Sequence, residues 1–159
     1  RLVERTTGGQ RTRWEYDPDG HRTGMLAPGG DRTDYRHDTT GRVIEIARTG
    51  FGSVQYEYDA DGRMLRAQAG DLLQTWEYRA GHPIRHTRIT PDSAHTTTIA
   101  RDEDDRITGI HRPDTRTDYR YNDACQLTAA TTSSPGATTR ATWTYDTAGR
   151  LIAETRDHS

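Results

Sequence analysis

Carboxylates at alternating positions are the first residues of this chain that could do chemistry. They lie in Asp17–Gly20 and Asp59–Gly62, each with the pattern Asp-x-Asp-Gly. Calcium loops space aspartates in this way because their oxygens ligate the ion, but such loops also need a downstream glutamate and further ligands, which these stretches lack. The pattern therefore favours hairpin turns, in which the opening aspartate accepts a hydrogen bond from the backbone N–H two residues on.

A second acidic group is the run Asp102–Asp105, which Arg101 and Arg106 flank. Clustered carboxylates can bind a metal ion or act as a general acid and base. The run falls at the turn position of the repeat described below, so a solvated acidic turn is the favoured interpretation. Asp105 stands where other copies have glycine, and aspartate tolerates a left-handed backbone better than most residues.

Histidine and cysteine could supply a zinc site or a nucleophile. His82 and His86 are four residues apart, which places them about 13 Å apart on a strand, too far for one zinc ion. A helix would bring them together, but Pro83 argues against one. Cys125 occupies a turn position and has no neighbouring histidine of the kind that activates a thiol. We therefore predict no catalytic residue, no metal and no cofactor.

The elements that must position these groups are β-hairpins. In Tyr56–Leu65, Tyr56 and Tyr58 share one face of a strand because side chains alternate with period 2. The turn that follows opens with aspartate and ends with glycine, which predicts a type I turn followed by a G1 bulge. The pattern occurs seven times at a period of about 21.5 residues, and such a period indicates a repeat architecture. The fourth copy, Trp76–His82, is one residue short, and the fifth, Ile99–Ile107, is nearly lost.

The repeated residues fall into two sets. The repeat aromatics are Trp14, Tyr16, Tyr35, Tyr56, Tyr58, Trp76, Tyr78, Tyr119, Tyr121, Trp143 and Tyr145. The turn and ladder residues are Asp17, Gly20, Asp38, Gly41, Arg42, Asp59, Gly62, Arg63, Asp146, Gly149 and Arg150. We expect like residues to stack as ladders, aromatic on aromatic and arginine on arginine. The aromatic rings could instead form a carbohydrate platform, although their periodicity favours a structural use.

The predicted fold is all-β, a repeat array of about seven antiparallel hairpins in one continuous sheet that covers residues 1–159. Residues 1–13 supply the tail of a preceding repeat, with Leu2 and Val3 in a returning strand and a turn at Gly8-Gly9. Roughly fourteen strands are expected, and a sheet of that width should curl or spiral. The Asp-x-x-Gly turns should lie at one edge, and the turns of variable length at the other.

Composition narrows the possible functions. Only 30% of residues are hydrophobic, 29% are charged and mean hydropathy is −1.04, values that lean toward disorder. Periodic aromatics and a net charge of only −2 argue against disorder. Near-neutral charge also argues against non-specific nucleic-acid binding. A single cysteine excludes an internal disulfide, and no apolar run approaches the ~20 residues of a membrane span. No signal segment is recognised.

These repeats resemble the YD-repeat, or Rhs (rearrangement hotspot), family, whose pattern is roughly Tyr-x-Tyr-Asp-x-x-Gly-Arg-Leu. The resemblance implies a β-ribbon that spirals into a hollow shell. In bacterial members that shell encloses a C-terminal toxin polypeptide, and in animal teneurins a related shell forms part of an adhesion receptor. The match is close at Tyr56–Leu65 and Trp143–Leu151, good at Trp14–Arg22 and Tyr35–Val43, and partial at Trp76–His82 and Tyr119–Leu127.

The resemblance sets the functional expectations. The chain is expected to be an interior segment of a shell, with no catalytic activity, in a secreted or cell-surface bacterial protein. Its partners would be neighbouring repeats and an enclosed toxin polypeptide, without nucleic acid or a membrane span. It lacks the segment rich in Asp-Pro and Asn-Pro that the family links to self-cleavage. The alternative is an extracellular module that binds carbohydrate or a receptor. A hydrolase or nuclease has the least support.

Overall fold

The computed structural model describes residues 1–158, which form one open antiparallel sheet of fifteen strands without a helix. Each strand pairs with its neighbours in sequence, in the order β1 to β15. The all-β hairpin prediction is thereby confirmed. The strands are β1 (Leu2–Thr7), β2 (Gln10–Tyr16), β3 (Arg22–Leu26), β4 (Arg32–His37), β5 (Val43–Arg48), β6 (Gly52–Tyr58), β7 (Met64–Ala69), β8 (Leu72–Arg79), β9 (His82–Thr90), β10 (Ser93–Arg101), β11 (Ile107–His111), β12 (Arg116–Tyr121), β13 (Leu127–Ser134), β14 (Ala137–Tyr145) and β15 (Leu151–His158).

Seven hairpins account for fourteen of the strands, and the additional strand is β1. It pairs with β2 from Leu2 opposite Glu15 to Thr7 opposite Gln10. The connection is the turn at Gly8-Gly9, where both glycines have positive φ. The returning strand predicted before the first repeat is therefore present.

By contacts the described chain divides into two compact units. The first consists of Arg1–Thr75 and Arg88–Ser93, and the second of residues 76–87 and 94–158. Within each unit, connections alternate between the turns that follow the aromatic strands and turns of variable length. Because consecutive connections in an antiparallel meander lie at opposite ends of the strands, the two classes occupy opposite edges, as predicted.

Neither unit has a wide apolar core. The buried residues of the described chain are small: Gly24, Thr33, Ala67, Gly109 and Ala129. No large side chain among residues 1–158 is fully buried. The sheet is therefore stabilised mainly by backbone pairing, half-buried rings and paired charges rather than by a dry interior.

Long charged side chains cover some of the buried strand centres. Arg32 on β4 reaches across β3 to Glu15 on β2, with Nη2 2.6 Å from Oε2. This ion pair lies over Gly24, where a β-carbon would come within 2.7 Å of Glu15 Oε2. A side chain at this position of β3 would therefore displace the ends of Glu15 and Arg32.

Candidate functional site

Six of the seven hairpin turns after the aromatic strands share one hydrogen-bond pattern. At Asp59, the backbone N–H donates to the carbonyl of Arg63 (2.9 Å), and the N–H of Gly62 donates to the carbonyl of Asp59 (3.1 Å). The Asp59 carboxylate accepts the N–H groups of Asp61 and Arg63, each at 2.9 Å. The strand register shifts between Glu57 and Tyr58, immediately before the turn. The type I turn with a bulge is therefore confirmed here, and the same pattern opens at Asp17, Asp38, Asp102, Asn122 and Asp146.

The fifth copy is not lost in structure, although its sequence suggested so. Asp102 accepts the N–H of Arg106 at 2.9 Å, and the register shifts at the same place. Asp105 adopts φ 68° and Cys125, at the same position of the sixth copy, adopts φ 61°, where the other turns have glycine. The turn survives because it depends on the opening aspartate or asparagine, and a side chain at the left-handed position is tolerated.

The fourth hairpin has a different connection. Ala80 and Gly81 have φ values of 47° and 87°, which a two-residue type I′ turn requires. β8 therefore passes into β9 through a two-residue turn that has no opening aspartate. The missing residue seen in the sequence corresponds to this change of turn type.

An ion pair closes four of the bulged turns. The Nε atom of the arginine after the turn donates to the second oxygen of the opening aspartate, at 2.6–2.8 Å. The Thr40 hydroxyl, together with the backbone and side chain of Arg42, holds the pKa of Asp38 well below its usual range. At Asp146, the backbone N–H of Arg150 and then its guanidinium lower the carboxyl pKa. The four pairs are Asp38–Arg42, Asp59–Arg63, Asp102–Arg106 and Asp146–Arg150.

The residue after one turn also contacts the next turn. Arg42 lies over the ring of Tyr58 at 5.2 Å, and its Nη1 donates to the carbonyl of Asp59 at 2.9 Å. Tyr58 in turn donates its hydroxyl to the carbonyl of Val43 (2.9 Å), and burial raises the pKa of Tyr58. We call this arrangement, in which the residue after one turn contacts the aromatic position of the next copy, the interlock.

The interlock recurs in the second unit. Arg106 lies 5.4 Å over the Tyr121 ring, whose hydroxyl donates to the carbonyl of Ile107 at 2.8 Å. In the next step Gln126 replaces arginine and donates to the carbonyl of Gly149 at 2.9 Å. Tyr145 still donates to the carbonyl of Leu127 at 2.8 Å.

The interlock corrects the prediction of like-on-like ladders. The described ring contacts between these successive turns join unlike positions, the residue after one turn and the second aromatic position of the next copy. They pair arginine with tyrosine, or His21 with His37, whose rings stack at 5.2 Å. The reason is register: the pairing of β5 with β6, continued beyond Glu45 and Gln55, places Arg42 opposite Tyr58.

All eleven repeat aromatics are half-buried. Trp76 stacks on His86, with ring centroids 4.9 Å apart and planes inclined by 23°. Arg22 lies 5.9 Å over the Tyr35 ring. These contacts cover ring faces that a sugar platform would need, whereas the roles assigned to the repeat residues themselves stay predictions.

His82, His86 and Cys125, the candidates for a zinc site or a nucleophile, contact different residues. His82 pairs with Asp105, whereas His86 lies against Trp76. Cys125 is exposed and accepts a contact from Arg106 Nη1 at 3.1 Å.

Sequence reasoning weighed Asp17 and Asp19 as metal ligands but missed His21, which lies beside them in the first turn. The ligating atoms of Asp17, Asp19 and His21 all lie within 4.8 Å of one another. The available signal was the histidine itself, because it stands where four other turns have arginine.

Comparison with known proteins finds likeness at the level of structure. No family model matches the chain, and no curated protein matches it. A Tc holotoxin pore of Photorhabdus luminescens that carries a substituted TccC3 matches with a TM-score of 0.77 at 17% identity. TcdB2-TccC3 without its hypervariable C-terminal region matches at 0.74 and 16%, and TcdB2-TccC3-Cdc42 at 0.75 and 16%. Each match covers 94% of this chain and 9% of the other chain.

The chain thus spans a small part of the length of these proteins, and at such identity the likeness is one of fold. Residues 1–158 contain no helix that could cross a membrane. The chain has the fold of a segment of these Tc toxin chains.

Proposed function

We propose that this chain is a structural segment of a YD-repeat (Rhs) shell that encloses or displays a C-terminal toxin polypeptide, without catalysis of its own. The interlock is the observation that carries the proposal. In the interlock, the guanidinium groups of Arg42 and Arg106 contact the next copy of the repeat, so these groups join copies rather than bind a ligand. The likeness in fold to Tc toxin segments supports the same function.

The distribution of charge on the sheet supports a shell surface that does not bind its contents tightly. Many are compensated across strands, as in Arg36–Glu45 and Arg66–Glu57. Compensated charge and few exposed apolar side chains leave a semi-polar surface with little driving force for tight binding. Such a surface suits a polypeptide that is confined but must later leave. On this proposal the partners are neighbouring repeats and the enclosed toxin polypeptide, in a secreted or cell-surface protein.

The test is a deletion that keeps the repeat in phase. Removal of residues 17–58 from the toxin-bearing parent protein takes out two periods and joins Tyr16 to Asp59, which restores an aromatic-aspartate junction. We expect the C-terminal domain to become sensitive to protease. The control is Ala60→Ser, a substitution at an exposed turn position. A C-terminal domain as resistant in the deletion variant as in the parent would refute the shell function.

A second candidate is a module that binds cell-surface glycans or a receptor. It is favoured by Trp14, Trp76 and Trp143, which lie on three different repeats. A glycan array separates the two candidates. Binding that Trp14→Ala and Trp143→Ala abolish would support the glycan module, whereas the shell proposal predicts no tryptophan-dependent signal.

A further inference from the structure

The first turn has the backbone of the other bulged turns but a different side chain after it. The N–H of Asp17 donates to the carbonyl of His21 at 3.0 Å, and the N–H of His21 donates to Asp17 Oδ1 at 2.8 Å. Four other turns have arginine at the position of His21. The first turn therefore keeps the backbone hydrogen bonds of the other bulged turns but has histidine in place of arginine.

Two other turns show what that arginine does when the turn carries two carboxylates. In the third turn, Arg63 Nε binds Asp59 Oδ2 and its Nη2 binds Asp61 Oδ2, both at 2.6 Å. The fifth turn repeats this arrangement between Asp102, Asp104 and a single arginine, at 2.7 and 3.0 Å. In both, one guanidinium bridges the two carboxylates and offsets part of their negative charge.

The first turn has the same two carboxylates, Asp17 and Asp19, but it has the imidazole of His21 in place of the bridging guanidinium. The ring presents Nδ1 toward the carboxylates, 3.3 Å from Asp17 Oδ2. Its Nε2 faces the backbone of Gly41, where a β-carbon would lie only 2.5 Å away. Stacking on His37 at 5.2 Å further fixes the ring plane.

We propose that Asp17, Asp19 and His21 bind a divalent transition-metal ion such as zinc, which takes the place of the bridging guanidinium. Two ligand atoms of a tetrahedral zinc ion lie ~3.3 Å apart when each bond is ~2.0–2.1 Å. The separation of Asp17 Oδ2 and His21 Nδ1 is 3.3 Å, so these two atoms already have the required spacing. A donor set of one imidazole and two carboxylates suits zinc or cobalt, whereas calcium and magnesium prefer oxygen alone.

The position of the group lets an ion enter and leaves room for water as a further ligand. The side chains of Asp17 and His21 retain 27% and 38% of their exposure, and Asp19 is exposed. Binding would link the two ends of the turn, as arginine does in the third and fifth turns. It is therefore expected to raise the thermal stability of the chain with the logarithm of the free ion concentration above the Kd.

The test uses the 159-residue chain with zinc in calorimetry and cobalt in visible absorption, which reports the ligands directly. The chain should bind one ion per molecule. His21→Arg restores the guanidinium and should abolish binding while leaving circular dichroism unchanged. The reciprocal Arg63→His should create a second site at Asp59 and Asp61 and double the stoichiometry. His95→Gln, at an exposed histidine of β10, should bind as the parent does.

Three results would overturn the proposal. The first is the absence of saturable binding by the parent chain. The second is binding that persists in His21→Arg, because the ion would then be held by other histidines. The third is an Arg63→His variant that binds one ion, as the parent does, because two carboxylates and a histidine in this turn would then not suffice.

Discussion

The guanidinium of Arg42 lies 5.2 Å over the ring of Tyr58, one repeat further along the chain. Arg42 also binds Asp38 at 2.7 Å at the end of its own turn. One side chain thus closes one turn and holds the next. If such contacts join the repeats, their removal should weaken the sheet locally without changing its topology.

Replacement of Arg42 by lysine tests the stacking. Lysine keeps the charge but not the planar fork that can lie on a ring and bind Asp38 and the Asp59 carbonyl together. We expect a loss of about 1–2 kcal/mol in the free energy of unfolding, measured by urea denaturation. Arg36→Lys, at an exposed cross-strand pair, is the control and should change it little. Equal effects of the two substitutions would contradict the interlock.

Replacement of Tyr58 by phenylalanine tests the other half of the interlock. It removes the hydrogen bond to the Val43 carbonyl but keeps the ring under Arg42. The expected loss is about 0.5–1.5 kcal/mol, with similar values for Tyr121→Phe and Tyr145→Phe. Tyr56→Phe is the control, since no hydroxyl–carbonyl bond is seen for Tyr56 in the described chain. A Tyr58→Phe variant as stable as the parent would show that the hydroxyl adds nothing.

Acid should destabilise the chain through its turn aspartates. The pKa of Asp38 is lowered, first by the Thr40 hydroxyl and then by Arg42. A carboxyl whose pKa is lower in the folded state contributes stability above its unfolded pKa of about 3.9, and that stability is lost as the pH falls through the folded value. Asp38→Asn should therefore make the urea midpoint less dependent on pH below about 4. Asn122, which opens the sixth turn, indicates that asparagine can keep the backbone hydrogen bonds. An unchanged pH profile would exclude Asp38 as a source of the acid sensitivity.

Substitution of three glycines by alanine separates the effect of backbone strain from that of steric crowding. Gly20→Ala introduces only strain, since φ is 88° and no atom lies within 4 Å of the added carbon. Gly41→Ala adds a contact of 2.5 Å with His21 Nε2, and Gly24→Ala adds contacts with an ion pair but no positive φ. We expect losses of about 1 kcal/mol for Gly20→Ala and clearly more for Gly41→Ala. Gly24→Ala should lower the free energy of unfolding least, because the ends of Glu15 and Arg32 can move aside.

Thermal unfolding of the three variants measures this order of stability. A Gly41→Ala variant that is as stable as Gly20→Ala would argue against the close approach of His21.

The turns could be predicted from sequence because their hydrogen bonds are local. Asp59 contacts residues two and four positions on, so a five-residue pattern contains all the participants. For the same reason Asp105 could be placed at a left-handed position before any coordinates were known. Hairpin order followed from the period alone.

The contacts between repeats could not be predicted in the same way. Arg42 meets Asp59, and Arg32 meets Glu15, across 17 residues of chain, and both pairs depend on the register between neighbouring strands. A shift of one residue would have placed other side chains together. The proposed role of His21 could not be predicted from its neighbours in sequence. It follows from a comparison of the folded first turn with the third, in which Arg63 contacts both carboxylates.

The lack of large buried side chains in the described sheet has a consequence that calorimetry can measure. Because the described sheet buries only small residues and leaves its rings half covered, melting should newly expose little hydrocarbon to water. The heat-capacity increment and the denaturant m-value are then expected to fall below those of a globular domain of the same length. The curve of stability against temperature would be broad and shallow. The free energy of unfolding of such a sheet would therefore change little between cool and warm surroundings.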